Sequence, residues 1–296
     1  GREGMGPTYQ TRLGPRISAR RMLSEVTALR ATYGRYHQYL NLVYQEGFSF
    51  ADMWFPVDRT IRPGSADHYI LGVDVGPYET HDVSIEVYYK DYRNLVEFSD
   101  EFGRSLFDES TELDEVFNSG TGHAYGADLY LRNRYRGWEG WVGYSWGSTE
   151  RKIENYNRGE AFIPQYDRRH QITIMQTRSL GKGWTLDLNF RYGTGQPTTL
   201  ATGRYTVRDV NGRAYDIVLD GKLNDARLPA FHRLDVGLSK VYRLRGWSIE
   251  PTLQVINVYN HKNVYLRSYD LTKNPAEHED VNMFPLLPTL GVNVRF

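Results

Sequence analysis

Apolar and polar residues alternate with a period of two along most of this chain. The segment Trp184 to Tyr192 shows it most plainly. Trp184, Leu186, Leu188, Phe190 and Tyr192 point one way, and Thr185, Asp187, Asn189 and Arg191 point the other. The same reading applied throughout predicts about eleven strands. They run Leu13 to Leu23, Thr27 to His37, His68 to Gly76, Asp82 to Tyr92, Tyr125 to Tyr135 and Gly140 to Gly147. His170 to Thr177, Trp184 to Tyr192, Arg233 to Tyr242, Trp247 to Tyr259 and Leu286 to Phe296 complete the set. Aromatics bracket the apolar face, as Trp184 with Tyr192 and Trp247 with Tyr259. The opposite face carries charge in mid-strand: Arg30, Arg132, Asp187, Arg191, Arg233 and Asp235. Taken singly, each strand also suits a soluble sandwich, whose polar face simply meets water.

The connections separate these readings. Counting back from Phe296 they alternate long and short without a break. Arg267 to Phe284 is long and Arg243 to Gly246 short; Thr194 to Pro229 is long and Ser179 to Gly183 short. The same rhythm continues through Ser148–Arg168, Arg136–Glu139, Asn94–Gly122, Pro77–Thr80, Gln38–Ala66 and Ser24–Val26. Compact soluble domains favour loops of about 4–6 residues. Transmembrane barrels put short turns at the periplasmic end and long loops outside. The expected fold is therefore all-β, an antiparallel transmembrane β-barrel whose charged strand face lines the lumen.

Composition agrees. The 296 residues hold 23 Tyr and 6 Trp, suited to strands and to interfacial girdles. The 36 basic and 36 acidic residues cancel, so no net field draws nucleic acid. The absence of cysteine rules out a disulfide framework. No run of about 18 apolar residues offers a membrane helix. Gly1 to Gly6 lacks the pattern of an export signal, which leads us to expect a processed chain or part of a longer one.

Few motifs invite chemistry. Glu277-His278-Glu279-Asp280 has metal-ligand residues but reads as a solvated loop tip, and Asp108 to Glu115 lacks the turn glycine of a calcium loop. Asp209 to Arg213 reads as a hairpin turn with Tyr205–Val207 and Tyr215–Ile217 as arms. The Asn257, Asn260, Asn263 spacing suits backbone capping where a strand ends. No phosphate loop, zinc spacing or Ser–His–acid order stands out, so neither cofactor nor metal is expected and catalysis is not indicated. The aromatic-rich loops suit ligand capture, with Trp54, Phe55, Tyr156, Tyr166, Tyr205 and Tyr215 as candidates.

Two resemblances sharpen this. Thr289-Leu290-Gly291-Val292-Asn293-Val294-Arg295-Phe296 resembles the signal read by the outer-membrane barrel assembly machinery, with Thr289, Gly291, Val294 and Phe296 at the matching places. The run Arg227-Leu228-Pro229-Ala230-Phe231-His232-Arg233-Leu234-Asp235, followed by Asn257, Asn260 and Asn263, resembles the C-terminal barrel of TonB-dependent outer-membrane receptors. Gly34 to Gln38, Glu86 to Tyr92 and Tyr166 to His170 are similar to that family too. The resemblance implies energy-coupled uptake of a scarce nutrient (siderophore-iron, cobalamin, oligosaccharide or similar) across the outer membrane of a Gram-negative bacterium. It implies as partners the lipid bilayer, an N-terminal half bearing a plug domain, and the TonB complex acting through that plug. Residues 1–296 would then be the C-terminal half of a barrel of about 22 strands. The alternatives are a self-contained outer-membrane barrel enzyme of about 10–12 strands and a soluble all-β binding module.

Overall fold

Ladder hydrogen bonds between successive alternating segments turn the period-two pattern into one antiparallel sheet. The computed structural model describes residues 11–43, 53–57, 62–98, 117–208, 211–270, 273 and 277–296. In chain order, β1 (Arg16–Met22) leads to β2 (Thr27–Gln38). A small hairpin of β3 (Leu40–Val43) and β4 (Met53–Pro56) intervenes before β5 (Gly64–Val75) and β6 (His81–Phe98). Then come β7 (Phe117–Tyr135), β8 (Trp138–Ile153), β9 (His170–Gly181) and β10 (Trp184–Gly193). The next connection holds β11 (Pro197–Thr198), the hairpin β12 (Ala201–Arg208) with β13 (Ala214–Asp220), and β14 (Ala226–Arg227). β15 (Phe231–Lys240) continues past Val241 into β16 (Tyr242–Leu244), and β17 (Trp247–Ile256) returns. The loop hairpin β18 (Val264–Asp270) with β19 (Glu277–Asn282) precedes β20 (Leu287–Arg295).

The main sheet is a meander ordered β1-β2-β5-β6-β7-β8-β9-β10-β15-β17-β20, with β16 paired to β17 as the continuation of β15. Counting β15 and β16 as one broken strand gives eleven crossings. Among the described residues β1 and β20 do not meet, so the sheet is a curved wall and not a closed small barrel.

Turn chemistry fixes the register at one end. Arg136–Gly137 and Lys182–Gly183 place both residues at positive φ (50° and 80°; 51° and 79°), the type I′ geometry that matches strand twist. From there the two faces run unbroken across the sheet. One row passes through Arg30, Gly72, Glu86, Asp128, Ser145 and Gln171. A second joins Asp82, Arg132, Trp141, Met175, Asn189 and Asp235. The other face presents Leu71, Ile85, Leu129, Leu188, Leu253 and Leu290, with Leu71 at 56% and Leu290 at 86% exposure. A soluble sheet would not leave so wide an apolar surface in water.

Rings bound that apolar band at both ends. Toward the long loops, Tyr33, Tyr69, Tyr89, His123, Tyr125 and Trp146 follow one another from β2 through β5, β6 and β7 to β8 with centroids 5.3–6.5 Å apart. Toward the short turns, Arg136 lies over Tyr135, Arg178 over Trp138, and Lys240 over both Trp184 and Tyr242. Rings with their polar edge in water and their body in hydrocarbon suit the two faces of a bilayer.

The structure corrects several strand limits. β6, β7 and β8 run on together to Phe98, Phe117 and Ile153, well past the expected ends at Tyr92, Tyr125 and Gly147. Beyond the girdle no lipid imposes the alternation, which fades, but the hydrogen-bond ladder persists. β17 stops at Ile256, short of Tyr259, because Asn257 takes φ 55° and turns the chain. Buried apolar residues are few among those described. Phe117, Ile153 and Phe162 are buried beyond the girdle, where Phe162 bridges back to Arg151.

Candidate functional site

On the polar face the charges sort by height. Near the short turns, Arg30 binds Asp74 at 3.1 Å and Glu86 at 2.6 Å, Ser84 donates to Asp74 at 2.9 Å, and Arg132 pairs with Asp82. Thr177 donates to Asp187 at 2.6 Å and Ser239 to Glu250 at 3.3 Å, so these two acids are met by hydroxyls instead of cations. Higher up, Arg233 Nε approaches Asp235 Oδ1 at 3.0 Å but off the hydrogen-bond direction. Asp235 Oδ1 instead accepts the Asn257 N–H at 2.9 Å.

Toward the long loops the same face hollows into a cavity of about 210 Å³ lined by Tyr88, Lys90, Tyr92, Ser145, Tyr166 and Arg168 among others. Its floor depends on glycine. A Cβ added at Gly147 would lie 2.7 Å from the Tyr88 hydroxyl, and one at Gly126 would meet the same hydroxyl. With neither present, the Tyr88 side chain extends sideways from β6 across β7 to β8 and lines the wall. Lys90 Nζ stands 4.7 Å over that ring.

The rim is pinned. The Arg227 guanidinium donates to Asp167 Oδ2 at 2.6 Å and to the Gly195 carbonyl at 2.9 Å, and the Thr149 N–H donates to Asp167 Oδ1 at 3.2 Å. Asn224 Nδ2 donates to the Ile163 carbonyl at 2.9 Å, tying the same two loops together. Arg151 pairs with Glu97 and lies 5.3 Å over the Tyr166 ring. Arg168 stacks at 5.8 Å over Phe231, and burial lowers its pKa from the usual arginine value.

Residues 6–260 match the protein family described as TonB dependent receptor-like, beta-barrel. The chain belongs to that family. A search of curated proteins found no match. Among solved structures, the TonB-dependent receptor chain is similar to the ferripyoverdine receptor of Pseudomonas aeruginosa bound to ferripyoverdine (TM-score 0.59, 12% identity, 97% of this chain and 33% of that one). It is similar too to the ferric-catecholate import receptor Fiu of E. coli K12 (0.56, 14%, 94% and 34%). The third is BauA, the ferric preacinetobactin receptor of Acinetobacter baumannii (0.58, 12%, 94% and 36%). This chain thus spans about a third of the length of those receptors. In this family the short turns face the periplasm and the long loops the outside.

The TonB-dependent receptor wall places the sequence candidates as follows. Arg30, Arg132, Asp187, Arg191, Arg233 and Asp235 all share the polar face. Tyr166 lines the mouth cavity. Tyr156 packs on Phe162 with centroids 5.2 Å apart. Trp54, 60% exposed, sits opposite Leu42 on the β3–β4 hairpin, away from that cavity. Tyr205 lies opposite Ile217, and Tyr215 opposite Val207, on the β12–β13 hairpin. Asp209 and Val210 at that hairpin's tip, the Phe55 and Tyr215 side chains, and Asp108 to Glu115 lie outside the described residues. On β20, Thr289 and Gly291 fall on the polar face, Val294 on the apolar one, and Phe296 follows the strand fully exposed.

The three asparagines of the loop between β17 and β20 cap backbone. Asn257 accepts the His261 N–H at 3.0 Å and donates to the His261 and Phe284 carbonyls. Asn260 accepts the Leu286 N–H, and Asn263 exchanges two hydrogen bonds with the His232 backbone. The acidic run Glu277 to Asp280 is strand β19, whose side chains disperse. Glu277 pairs with Lys273, His278 neighbours Tyr269, and Asp280 takes a two-pronged bond from Arg267 at 2.6 and 2.9 Å. Among the described residues no group of three such side chains converges on a metal position.

The Asp280 pair makes the loop hairpin pH-sensitive. The hydrogen bond from Arg267 holds the Asp280 carboxyl below its ordinary value. A depressed folded pKa contributes stability that is complete above the unfolded value, about 4. It is lost as pH falls through the lower folded value. Hydrogen-exchange protection of Leu266 to Tyr269, corrected for intrinsic rates, should be higher at pH 6 than at pH 3. Arg267→Gln should remove most of that difference, and a wild-type hairpin equally protected at both pH values would refute the coupling.

Lys90 and Arg168 were not singled out in the sequence. Their signal is weak there, because Arg168 lies 78 positions from Lys90 and only the β6-to-β8 register makes them neighbours.

Proposed function

We propose that this chain is the outer-membrane wall of a receptor for TonB-dependent, energy-coupled uptake of a scarce nutrient. The observation that carries this is a sheet with two consistent faces, one apolar between two girdles and the other polar and opening into a cavity at its outer mouth. A wall of this kind separates lipid from a watery lumen, as the barrel of an outer-membrane receptor must. The whole protein would lie in the outer membrane of a Gram-negative bacterium. An N-terminal half bearing a plug would complete a barrel of about 22 strands, the plug would contact the TonB complex, and the assembly machinery would read β20.

The lower lumen supports the plug. A recess of about 340 Å³ lined by Arg20, Asp74, Asp82, Ser84, Tyr130 and Arg132 opens at the periplasmic end. Asp82 Oδ1 there is buried without a hydrogen-bond partner among the described residues. Such an atom suits a donor from another segment, as a plug would supply.

The test is growth on a limiting nutrient by cells whose only route is the full-length receptor. Uptake should cease when the inner-membrane proton gradient is dissipated, and both growth and uptake should cease when TonB is removed. Uptake that persists through both treatments would overturn the reading.

A further inference from the structure

We propose that the mouth cavity selects a planar aromatic anion, its charge held between Lys90 and Arg168 and its ring set against Tyr92 and Tyr166. The proposal deepens the receptor reading and rests on it.

The first argument is charge left over. Lys90 and Arg168 both line the cavity, and neither meets a carboxylate among the described residues. The acids that would neutralise them are already engaged. Asp167 is 4% exposed, and its carboxylate is taken by Arg227 and the Thr149 N–H, while Glu97 is taken by Arg151. Arg168 has lost part of its hydration and rests on Phe231 instead of on an anion. A desolvated cation without a partner gains more from an incoming anion than a solvated one does.

The second argument is shape. Tyr88 lies along the wall because Gly126 and Gly147 have no side chain to lift it. Tyr92 comes from the same face of β6, and Tyr166, 58% exposed, is backed by the Arg151 guanidinium. A flat wall with rings on two sides favours a flat guest. At about 210 Å³ the cavity suits a ring with its substituents, as a free ligand or as one arm of a larger one, and is small for a macrocycle.

The third argument concerns what is missing for other guests. A cationic guest needs a free counter-charge, and the one carboxylate lining this cavity is already bound to Arg227. Deeper in the lumen the acids Asp128, Asp187 and Glu250, without an ion-pair partner among the described residues, are offset by Arg20 and Arg191, which lack one too, so the unanswered positive charge is particular to the mouth.

The experiment uses the full-length receptor in detergent, titrated with benzoate, benzamide and cyclohexanecarboxylate and followed by calorimetry. Benzoate should bind at least about tenfold more tightly than the neutral amide or the non-planar acid. Arg168→Gln and Lys90→Gln should each erase that preference, Arg168→Lys should keep part of it, and Arg169→Gln, a change at an exposed neighbour, should leave it intact. Heat-modifiable gel mobility checks that each variant is folded. Benzamide binding as well as benzoate, benzoate failing to bind, or folded Arg168→Gln and Lys90→Gln variants retaining the preference would each overturn the proposal. Binding in detergent needs no energy source. Selective binding without gradient-dependent uptake would therefore sink the receptor reading alone, and uptake without aromatic-anion selectivity would sink this inference alone.

Discussion

Leu188→Arg in the full-length receptor should destabilise the folded barrel by about 2–4 kcal/mol, whereas Asn189→Arg should be nearly silent. The two positions are adjacent on β10 and face opposite ways. Leu188 lies on the apolar face between Gln176 and Val236, midway between the girdle residues Trp184 and Tyr192. Asn189 lies beside Asp235 on the polar face, where a guanidinium finds a carboxylate and water. A charge at mid-bilayer has neither. Urea unfolding of both variants in lipid vesicles measures the difference. Equal tolerance at the two sites would show that the apolar face does not meet lipid.

Asn257→Ala should cost about 2–4 kcal/mol and loosen the last outer loop. The side chain is fully buried and makes three hydrogen bonds to backbone of its own loop, one of them to Phe284. Removing it strands those groups away from water and puts alanine at φ 55°, where asparagine and glycine are at ease. Asn257→Gly should recover only the backbone part. Thermal unfolding gives the totals, and protease cleavage between Asn257 and Leu286 reports the loop. A variant as stable and as protected as the parent would show that the capping is dispensable.

These two residues also show what sequence reveals and what it hides. The face of Leu188 was legible because hydrocarbon on one side and water on the other impose a strict alternation over the whole crossing. The long–short rhythm of connections was legible for a related reason, since turns at one end are built from local pairs such as Arg136–Gly137. The outer reach of β6 to β8 was not legible. Segments such as Asn118 to Gly122 carry no apolar–polar alternation, and only the ladder to β6 and β8 makes them strand. The mouth cavity was hidden for the opposite reason. Tyr88, Gly147 and Arg168 belong to it only through register across three strands and a loop, and no local pattern encodes that. Tyr156 drew attention as an aromatic in a loop but is spent on packing against Phe162. Tyr166, with the same credentials, opens to the cavity.

The meander has an entropic consequence. Each crossing strand pairs only with those before and after it in the chain, so every contact within this wall is made by closing one connection. Those connections range from two residues at 182–183 to 37 at 194–230. Loop-closure entropy grows only as about 1.5 RT ln n, so the longest costs roughly 2.5 kcal/mol more than the shortest. Doubling the length of an outer loop therefore adds only about 0.6 kcal/mol to its closure, while a one-residue slip in a short turn would turn every following side chain onto the wrong face. Variation in this wall should accumulate on the outside of the cell, and the periplasmic rim should stay fixed.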